Sequence, residues 1–247
     1  MPQHIGSKWK KTTALMNSKP LRRMIPTTAK FSVLQLKRML EQFGMVYVKP
    51  DVGSHGNGVT RVEYSKGHYS FQIGKRIHAF RSYDLMVAAL RKQIKGKRYL
   101  VQKGIHLLKH HGRRFDIRIM AQINLRKQWE TTGMIGRVAA PRKIITNFHG
   151  GGTLTPVNLL LSYRLSRSDY YRKIREFEKM GVQAGRTIRK RFPGVCEIGL
   201  DIGMDSTYTP WIIEVNTAPD PYIFRKLRDP AIFRKIRRYA KAYARSR

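Results

Sequence analysis

Two short apolar runs near the end of the chain, each carrying polar acids, constrain the fold more than any other feature. The first run spans 197–201 and ends in Asp201, and the second spans 211–216 and carries Glu214 and Asn216. The polar segment 205–210 between them is typical of a hairpin loop, so the runs are predicted to pair as antiparallel strands. Side chains two residues apart leave the same face of a strand. The hairpin should therefore place Glu214 beside Asn216 and bring Asp201 near both.

This predicted strand face offers oxygen ligands without cysteine or histidine. Such hard ligands suit Mg²⁺, which proteins usually hold with one or two carboxylates together with substrate phosphates. Glu197, at the start of the first run, is a candidate supporting residue behind the site. The alternative interpretation is the polar face of an ordinary amphipathic hairpin, and the hairpin alone leaves both open.

The chain is strongly basic but has the composition of a folded protein. Its 247 residues include 50 Lys and Arg against 15 Asp and Glu, a net charge of +35, and 41% are hydrophobic. A charge of this size favours acidic partners and nonspecific contact with nucleic acids. No apolar run approaches the roughly 20 residues of a membrane span, and the N-terminus lacks the apolar core of a signal peptide. With Cys196 as the sole cysteine, a cytoplasmic location is predicted.

The order of predicted elements divides the chain into two α+β lobes. An N-terminal segment, 1–30, precedes a first lobe over 31–104 and a second lobe over 105–247. The first lobe should contain a helix, a strand, a glycine loop, two further strands and a second helix. The second lobe should contain strands over 115–123 and 129–138, a long helix over 168–191, the hairpin and a basic C-terminal helix. Two such lobes predict a cleft between them.

The two helices of the first lobe have recognisable ends. Ser32 is a predicted N-cap for a helix that ends at Gly44, and Ser82 is the predicted N-cap of the second helix. We expect the inward face of the second helix to contain Leu85, Ala89 and Leu90.

A glycine-rich loop directly follows the predicted strand that ends in Lys49. Glycines let backbone N–H groups turn toward an anion, and a fixed lysine adds charge to a phosphate site. The spacing matches neither a P-loop nor a dinucleotide fingerprint. The loop alone fits a flexible hairpin turn better. Its residues that could contact phosphate are Gly53, Ser54, Gly56 and Gly58.

Opposite charges in the middle of the chain add a second candidate element. Asp116 and Arg118 lie two apart on one strand, so they should share a face. They could form an ordinary ion pair, or Asp116 could hold Arg118 rigid for binding phosphate or carboxylate oxygens. Arg137 and Asn147 flank a predicted loop and are uninformative individually. The histidines lack the spacing of zinc ligands.

Taken in order, these segments resemble the ATP-grasp superfamily, most nearly its YheC/YheD-like, endospore coat-associated family, and more distantly RimK-type glutamate ligases. The resemblance covers nearly the whole chain and rests on the order of many short motifs. Those motifs are Lys8-Trp-Lys10, Ile25-Pro-Thr27, Val48-Lys-Pro50, Gly53-Ser-His-Gly56-Asn-Gly58, Val101-Gln-Lys-Gly-Ile105, Asp116-Ile-Arg118, Arg137, Asn147 with Gly150-Gly151, Glu197-Ile-Gly-Leu-Asp201 and Trp211-Ile-Ile-Glu214-Val-Asn216.

The resemblance implies ATP bound between the lobes of an ATP-grasp fold. Adenine would lie against a hinge made by Gln102, Lys103 and Ile105, with the phosphates under the glycine loop. Lys49, with Lys8 or a neighbouring lysine (Lys10 or Lys11), would meet the α- and β-phosphates. Asp201, Glu214 and Asn216 would hold two Mg²⁺ ions, with Mn²⁺ as an alternative. Arg118 and Arg137 would stabilise the transferred phosphoryl group, and Asn147 would orient the acceptor side.

The activity implied is that of a carboxylate–amine (or thiol) ligase that converts ATP to ADP and phosphate through an acyl phosphate. Its carboxylate and amine are unidentified, and an acidic protein or polymer is a candidate substrate. Three departures from the family pattern stand out: Asp220 follows Pro219 where glycine is usual, Lys109 occupies the position of a ribose-binding acid, and most of the usual N-terminal domain is expected to be missing. The alternative is a non-catalytic polyanion-binding or spore-coat structural protein on the same scaffold.

Overall fold

Two antiparallel sheets, each with its own helices, organise residues 2–94 and 96–245, the part of the chain that this computed structural model describes. The N-terminal segment and first lobe contain α1 (Lys8–Met16), α2 (Lys19–Arg22), β1 (Thr28–Lys30), α3 (Val33–Phe43), β2 (Met45–Pro50), β3 (Thr60–Ser65), β4 (His68–Ile73), β5 (Arg76–Phe80), α4 (Tyr83–Gln93) and β6 (Tyr99–Lys103).

The second lobe follows directly. Its elements are β7 (Lys109–His110), β8 (Arg113–Ile123), β9 (Trp129–Val138), a 3₁₀ turn (Phe148–Gly150), β10 (Thr153–Thr155), α5 (Val157–Leu161), α6 (Arg167–Arg191), β11 (Glu197–Met204), β12 (Pro210–Asn216), a second 3₁₀ turn (Tyr222–Lys226) and α7 (Pro230–Arg245). The predicted α+β class is therefore confirmed.

The first sheet has the strand order β1-β6-β2-β3-β4-β5, and α3 and α4 pack on it. The Ser32 hydroxyl caps α3, and Gly44 ends that helix at a φ of 68°, a left-handed conformation that glycine adopts without strain. Ser82 caps α4 as predicted. The predicted inward face of α4 was wrong at Leu85, which is 60% exposed. The helix instead buries Tyr83, Met86, Val87 and Leu90, so its buried face lies to one side of the predicted stripe.

The second sheet has the order β10-β9-β8-β11-β12, with β7 paired to β8. Helices cover both of its faces, so β8 is buried at nearly every position. Ile117 and Ile119 point into the core shared with α6, whereas Met120 points into the smaller core that includes Ile236 of α7.

The N-terminal segment is part of both lobes. Helix α1 packs on α6 and β12, whereas β1 pairs with β6 of the first sheet. Asp51, just after β2, accepts hydrogen bonds from Ser7 Oγ at 2.9 Å and from the Trp9 amide at 2.8 Å. These bonds fix the start of α1 against the first lobe.

The hairpin that dominates the sequence forms as predicted. Strands β11 and β12 are antiparallel, with Asp201 opposite Glu214 and Gly199 opposite Asn216. The register therefore places the three predicted ligands on one face of the second sheet. In the described part of the chain, no helix combines the length and apolarity needed to cross a membrane.

Candidate active site

The cleft between the two sheets contains two adjoining cavities, of about 140 and 270 Å³. The inner cavity has mainly apolar walls, including Tyr47, Ile144 and Ile213, and a few polar side chains. The outer cavity is polar and is lined by the glycine loop and by the hairpin. An apolar recess that opens into a charged chamber suits a ligand with a flat ring at one end and anionic groups at the other.

The predicted hinge residues line the inner cavity. Gln102, Lys103 and Ile105 lie at its wall, where β6 leads into the second lobe. The Gln102 amide donates to Thr28 Oγ1 at 3.0 Å, which fixes its orientation. Lys103 lies over the Trp211 ring at 5.2 Å, so the ammonium group is held by a cation–π contact.

Lys49 is a buried cation in the wall of the inner cavity. Its Nζ donates to Gln102 Oε1 at 2.8 Å and to the Ile213 carbonyl at 3.2 Å, so one bond crosses from the first lobe to the second. Burial lowers the pKa of Lys49 to about 8, and the nearby Glu214 carboxylate only partly opposes this. The Lys49 ammonium group is therefore held in a fixed position in a poorly hydrated environment.

Two further lysines reach the cleft from α1. Lys8 Nζ donates to the Gly53 carbonyl at 2.7 Å and lies 3.7 Å from Glu214 Oε1. Lys11, one turn later on the same face, is also buried, and burial lowers its pKa. Lys10 is exposed and faces away. Lys11 is not among the residues that line the two cavities, but its charge interacts with Glu214 and Asp201. Its spacing of three residues from Lys8 is the sequence signal that places the two lysines on one helix face.

The glycine loop covers the outer cavity. Gly53, Ser54 and Gly56 line it, whereas Gly58 packs on Pro50 and Tyr99 outside the cavity walls. Gly56 has a φ of +74°, and a Cβ there would lie 2.7 Å from Ile145 of the second lobe. Only glycine allows this close approach, so the loop closes against the opposite lobe.

The opposite lobe meets this loop through a pair of histidines. The His55 and His149 rings are 4.6 Å apart in an edge contact, and His149 Nε2 lies 3.4 Å from Asp220 Oδ2. The unusual Asp220 is thus a partner of His149. The sequence prediction did not find this trio, since its members lie on three separate loops.

The predicted Asp116–Arg118 pair does not form, and this interpretation was wrong. Asp116 instead accepts from Arg137 Nε at 2.8 Å and Nη2 at 2.5 Å, and from Thr146 Oγ1 at 2.7 Å. Asp116 faces Arg137 directly across the β8–β9 ladder. Residues directly opposite each other on neighbouring strands are closer than residues two apart on one strand, which explains why Asp116 pairs with Arg137 and not with Arg118.

Arg118 pairs with Asp201 by the same rule. The two residues are opposite each other on β8 and β11, and two guanidinium nitrogens of Arg118 donate to the two carboxylate oxygens. Arg137 Nη2 also lies 3.0 Å from Asp201 Oδ2. Burial alone would raise the pKa of Asp201, but the two guanidinium groups outweigh it and lower that pKa. The pKa of Arg137 is raised, because its carboxylates outweigh its burial.

The three predicted metal ligands are neighbours. With its amide oriented to satisfy both contacts, Asn216 donates to Glu214 Oε1 at 3.3 Å and accepts from Arg118 Nη2 at 3.2 Å. Within the described residues, no group of three or more His, Cys, Asp or Glu side chains has metal-binding geometry. Two carboxylates and an amide oxygen still fit Mg²⁺, which retains waters and takes oxygens from bound phosphates.

Glu197 does not support this metal pocket, in contrast to the prediction. Its carboxylate accepts from Tyr243 of α7 and from Gln122 Nε2 at 3.3 Å. Burial raises the pKa of Glu197. The residue therefore attaches the C-terminal helix to the second sheet, four residues along the strand from Asp201.

Asn147 provides an independent sign that a ligand belongs in the cleft. The residue lines both cavities, and its Nδ2 and Oδ1 are buried without a protein partner in the described part of the chain. Buried amides are normally hydrogen-bonded, so an unsatisfied one beside a cavity indicates a missing polar partner. A nucleotide with its phosphates and Mg²⁺ supplies such polar groups, and the cations around Lys49 fit its charge.

The fold and this cleft define an ATP-grasp protein. Solved structures with the same fold include the D-cycloserine synthetase DcsG (TM-score 0.59, 10% identity, covering 96% of this chain and 70% of that one). The ATP-grasp ligase PsnB has a TM-score of 0.56 at 12% identity, over 97% of this chain and 59% of that one. The PurK N5-carboxyaminoimidazole ribonucleotide synthetase has a TM-score of 0.53 at 10% identity, over 95% and 51%.

The chain belongs to the YheC/D-like ATP-grasp family, whose model matches residues 2–246. It is 24% identical over 199 residues to the endospore coat-associated protein YheD of Bacillus subtilis (strain 168). That match covers 78% of this chain but only 43% of YheD, so the chain spans less than half the length of this relative. The predicted family and ATP-grasp fold are thus confirmed.

Proposed function

We propose that this chain is an ATP- and Mg²⁺-dependent ligase that activates a carboxylate as an acyl phosphate and transfers it to an amine or thiol. The observation that carries this proposal is the row of paired charges across the second sheet. Arg118, Asp201 and Glu214 are direct cross-strand neighbours, and Arg137 contacts Asp201 from β9. All four line the cleft, whose other wall holds Lys49. Phosphoryl transfer needs fixed cations around a spreading negative charge more than it needs a nucleophilic side chain.

The nucleotide would lie with its base in the apolar inner cavity and its phosphates toward the glycine loop. Gln102, Lys103 and Ile105 line the base end, and Lys49 lies in the wall of the same cavity. Lys8 lines the outer cavity, with Lys11 adding charge behind it, and the backbone of Gly53, Ser54 and Gly56 would border the phosphate end. DcsG, PsnB and PurK, which share the fold, are named as synthetases or ligases.

Bound Mg²⁺ would neutralise phosphate charge at Glu214 and Asn216, with Asp201 shared between the metal and the arginines. Because Asp116 and Asp201 hold the guanidinium groups of Arg137 and Arg118 in place, these donors need no reorganisation when charge develops on the transferred phosphoryl group. The unsatisfied Asn147 amide would hydrogen-bond groups on the acceptor side.

In the reaction, a substrate carboxylate oxygen attacks the γ-phosphorus and ADP leaves. The incoming amine then attacks the acyl carbon, loses a proton and displaces phosphate. Lys49, whose pKa is about 8, can remain charged at neutral pH and so stabilise the leaving ADP.

Trapping with hydroxylamine tests this chemistry directly. Purified protein is incubated with Mg·ATP, candidate carboxylates and hydroxylamine, and both ADP and hydroxamate are measured. We expect hydroxamate in proportion to ADP, a loss of at least tenfold in Glu214→Gln, and no change in Glu178→Gln, an exposed acid on α6. ADP release without hydroxamate for any acid would contradict the acyl phosphate.

A second candidate is a polyanion-binding protein that keeps the scaffold without catalysis. This non-catalytic function is favoured by the pairing of Arg118 and Arg137 with Asp201. Their guanidinium groups already neutralise the carboxylate that a metal ion would share. This candidate predicts that neither ADP nor ATP binds in the presence of Mg²⁺, whereas polyanions bind with strong salt dependence.

A further inference from the structure

A basic groove continues outward from the reaction cleft. A neighbouring cavity shares Phe148, His149, Asp220 and Ile223 with the outer chamber of the cleft, so the two spaces are continuous. Beyond these shared residues it is lined by the exposed aromatic Tyr222 and by the exposed cations Arg225 and Lys226. A ligand that leaves the cleft on this side therefore meets an aromatic ring followed by positive charge.

The groove reaches α7 through aromatic contacts. The Tyr222 ring lies 5.8 Å from the Phe233 ring, and the Arg237 guanidinium lies 5.6 Å from the Tyr222 ring. The cations of α7 along this side are spaced by three or four residues, which places them on one helix face. This α7 basic face consists of Arg234, Arg237, Arg238 and Lys241, which line a further cavity with Phe233.

The cations of the groove contact aromatic rings of the fold but no acidic side chain that the structure describes. Within the described residues, none of Arg225, Lys226 or the α7 basic face forms an ion pair with a carboxylate. Elsewhere on the same helix, Lys235 is paired with Glu130. Among the described residues that line the groove, Asp220 is the one acid, and it already faces His149. Unpaired positive charge in a concave surface calls for an anionic ligand.

We propose that this groove binds an extended acidic polypeptide segment and leads one of its carboxylates into the cleft. This inference rests on the proposed ligase function and names its substrate class. The proposed reaction consumes a carboxylate, which acidic side chains supply and which nucleic acids lack. The α7 basic face is about 12 Å long at 1.5 Å per helical residue, enough to follow roughly four residues of an extended chain.

Binding of a labelled peptide tests this groove in the full chain. Fluorescein-labelled decaglutamate is titrated with protein and followed by anisotropy, with single-stranded DNA of equal charge in a parallel series. The groove variant is Arg234→Gln/Arg238→Gln/Lys241→Gln, which removes exposed cations. The matched control is Arg175→Gln/Lys179→Gln/Arg186→Gln on the exposed side of α6, which removes the same charge at a site remote from the cleft.

We expect the groove variant to bind decaglutamate about tenfold more weakly, because three partly exposed ion pairs are lost together. The α6 control should change the affinity by less than threefold, and circular dichroism should show both variants folded. Equal weakening by both variants, no effect of the groove variant, or no binding by the original chain would overturn the proposal. DNA binding that depends on the α7 basic face while the peptide stays unbound would assign the groove to nucleic acid instead.

The same samples separate this inference from the ligase proposal. Binding of Mg·ADP without binding of decaglutamate would reject the groove alone. Decaglutamate binding through the α7 basic face without any Mg·ADP binding would reject the ligase while the groove stands.

Discussion

Replacing Lys49 with methionine is expected to stabilise the protein at neutral pH while impairing nucleotide binding. The side chain is almost fully buried, and burial lowers its pKa to about 8 from an ordinary value of 10.5. Carrying the charge at pH 7 therefore destabilises the folded state by about 3 kcal/mol relative to the neutral amine, at 1.36 kcal/mol per pKa unit. Methionine has a similar shape and carries no charge.

Part of that gain is lost with the two hydrogen bonds of Lys49. The bonds to Gln102 and to the Ile213 carbonyl contribute about 0.5–1.5 kcal/mol each. The expected net stabilisation at pH 7 is about 1–2 kcal/mol, which raises the melting temperature by roughly 3–6 °C for a chain of this size.

The pH dependence has a defined sign. Between pH 8 and 10.5 the unfolded chain holds a proton that the folded protein has released from Lys49, so the original protein becomes more stable as pH rises through this window. The advantage of Lys49→Met should therefore shrink as the pH rises above 8, and by pH 10 the two lost hydrogen bonds should leave the variant less stable than the original protein.

Thermal unfolding by circular dichroism at pH 7 and pH 10 measures this difference, with Lys10→Met on the exposed face of α1 as the control. Isothermal titration with Mg·ADP should show a ten- to hundredfold loss for Lys49→Met and little change for Lys10→Met. If Lys49→Met lowered the melting temperature equally at pH 7 and pH 10, the argument that burial destabilises the charged Lys49 would be refuted. Unchanged ADP affinity would remove Lys49 from the phosphate site.

Three further substitutions test the surroundings of the cleft. Asp116→Asn should lower the free energy of urea unfolding by about 3 kcal/mol, because the buried Arg137 loses one of its two carboxylate partners, whereas the exposed Asp84→Asn should change it by less than about 1 kcal/mol. Tyr243→Phe should lower unfolding free energy by about 1–2 kcal/mol, since its hydroxyl bonds the second sheet. Gly56→Ala should weaken Mg·ADP binding at least tenfold through its clash with the second lobe, while Gly74→Ala, also left-handed but in open space, should leave binding intact.

Local patterns predicted the hairpin well. Alternation along the strands placed Glu214 beside Asn216, and the polar loop set the pairing that brought Asp201 opposite Glu214. Helix ends at Ser32 and Gly44 were predictable for the same reason, because each depends on bonds within a few residues. Structural features that depend on contacts between residues close in sequence can therefore be predicted from the sequence.

The partners of the charged residues were not predicted. Asp116 pairs with Arg137 because the register of the consecutive strands β8 and β9 places them opposite each other. Arg118 pairs with Asp201 because β8 lies beside β11, a strand far away in the chain. The short strand β5 was missed, since its exposed positions carry little apolar pattern. The contribution of α1 to the cleft depends on Asp51, a partner 42 residues away from Trp9.

The Mg²⁺ dependence of nucleotide binding tests the central claim most directly. ADP is titrated into the original chain and into Glu214→Gln, each with Mg²⁺ and with a chelator. We predict that Mg²⁺ strengthens binding at least tenfold in the original chain, and that this effect disappears in Glu214→Gln because the pocket beside Asn216 loses its charge. Binding that is equally strong with and without Mg²⁺, or a Glu214→Gln variant that responds to Mg²⁺ as the original does, would contradict the account.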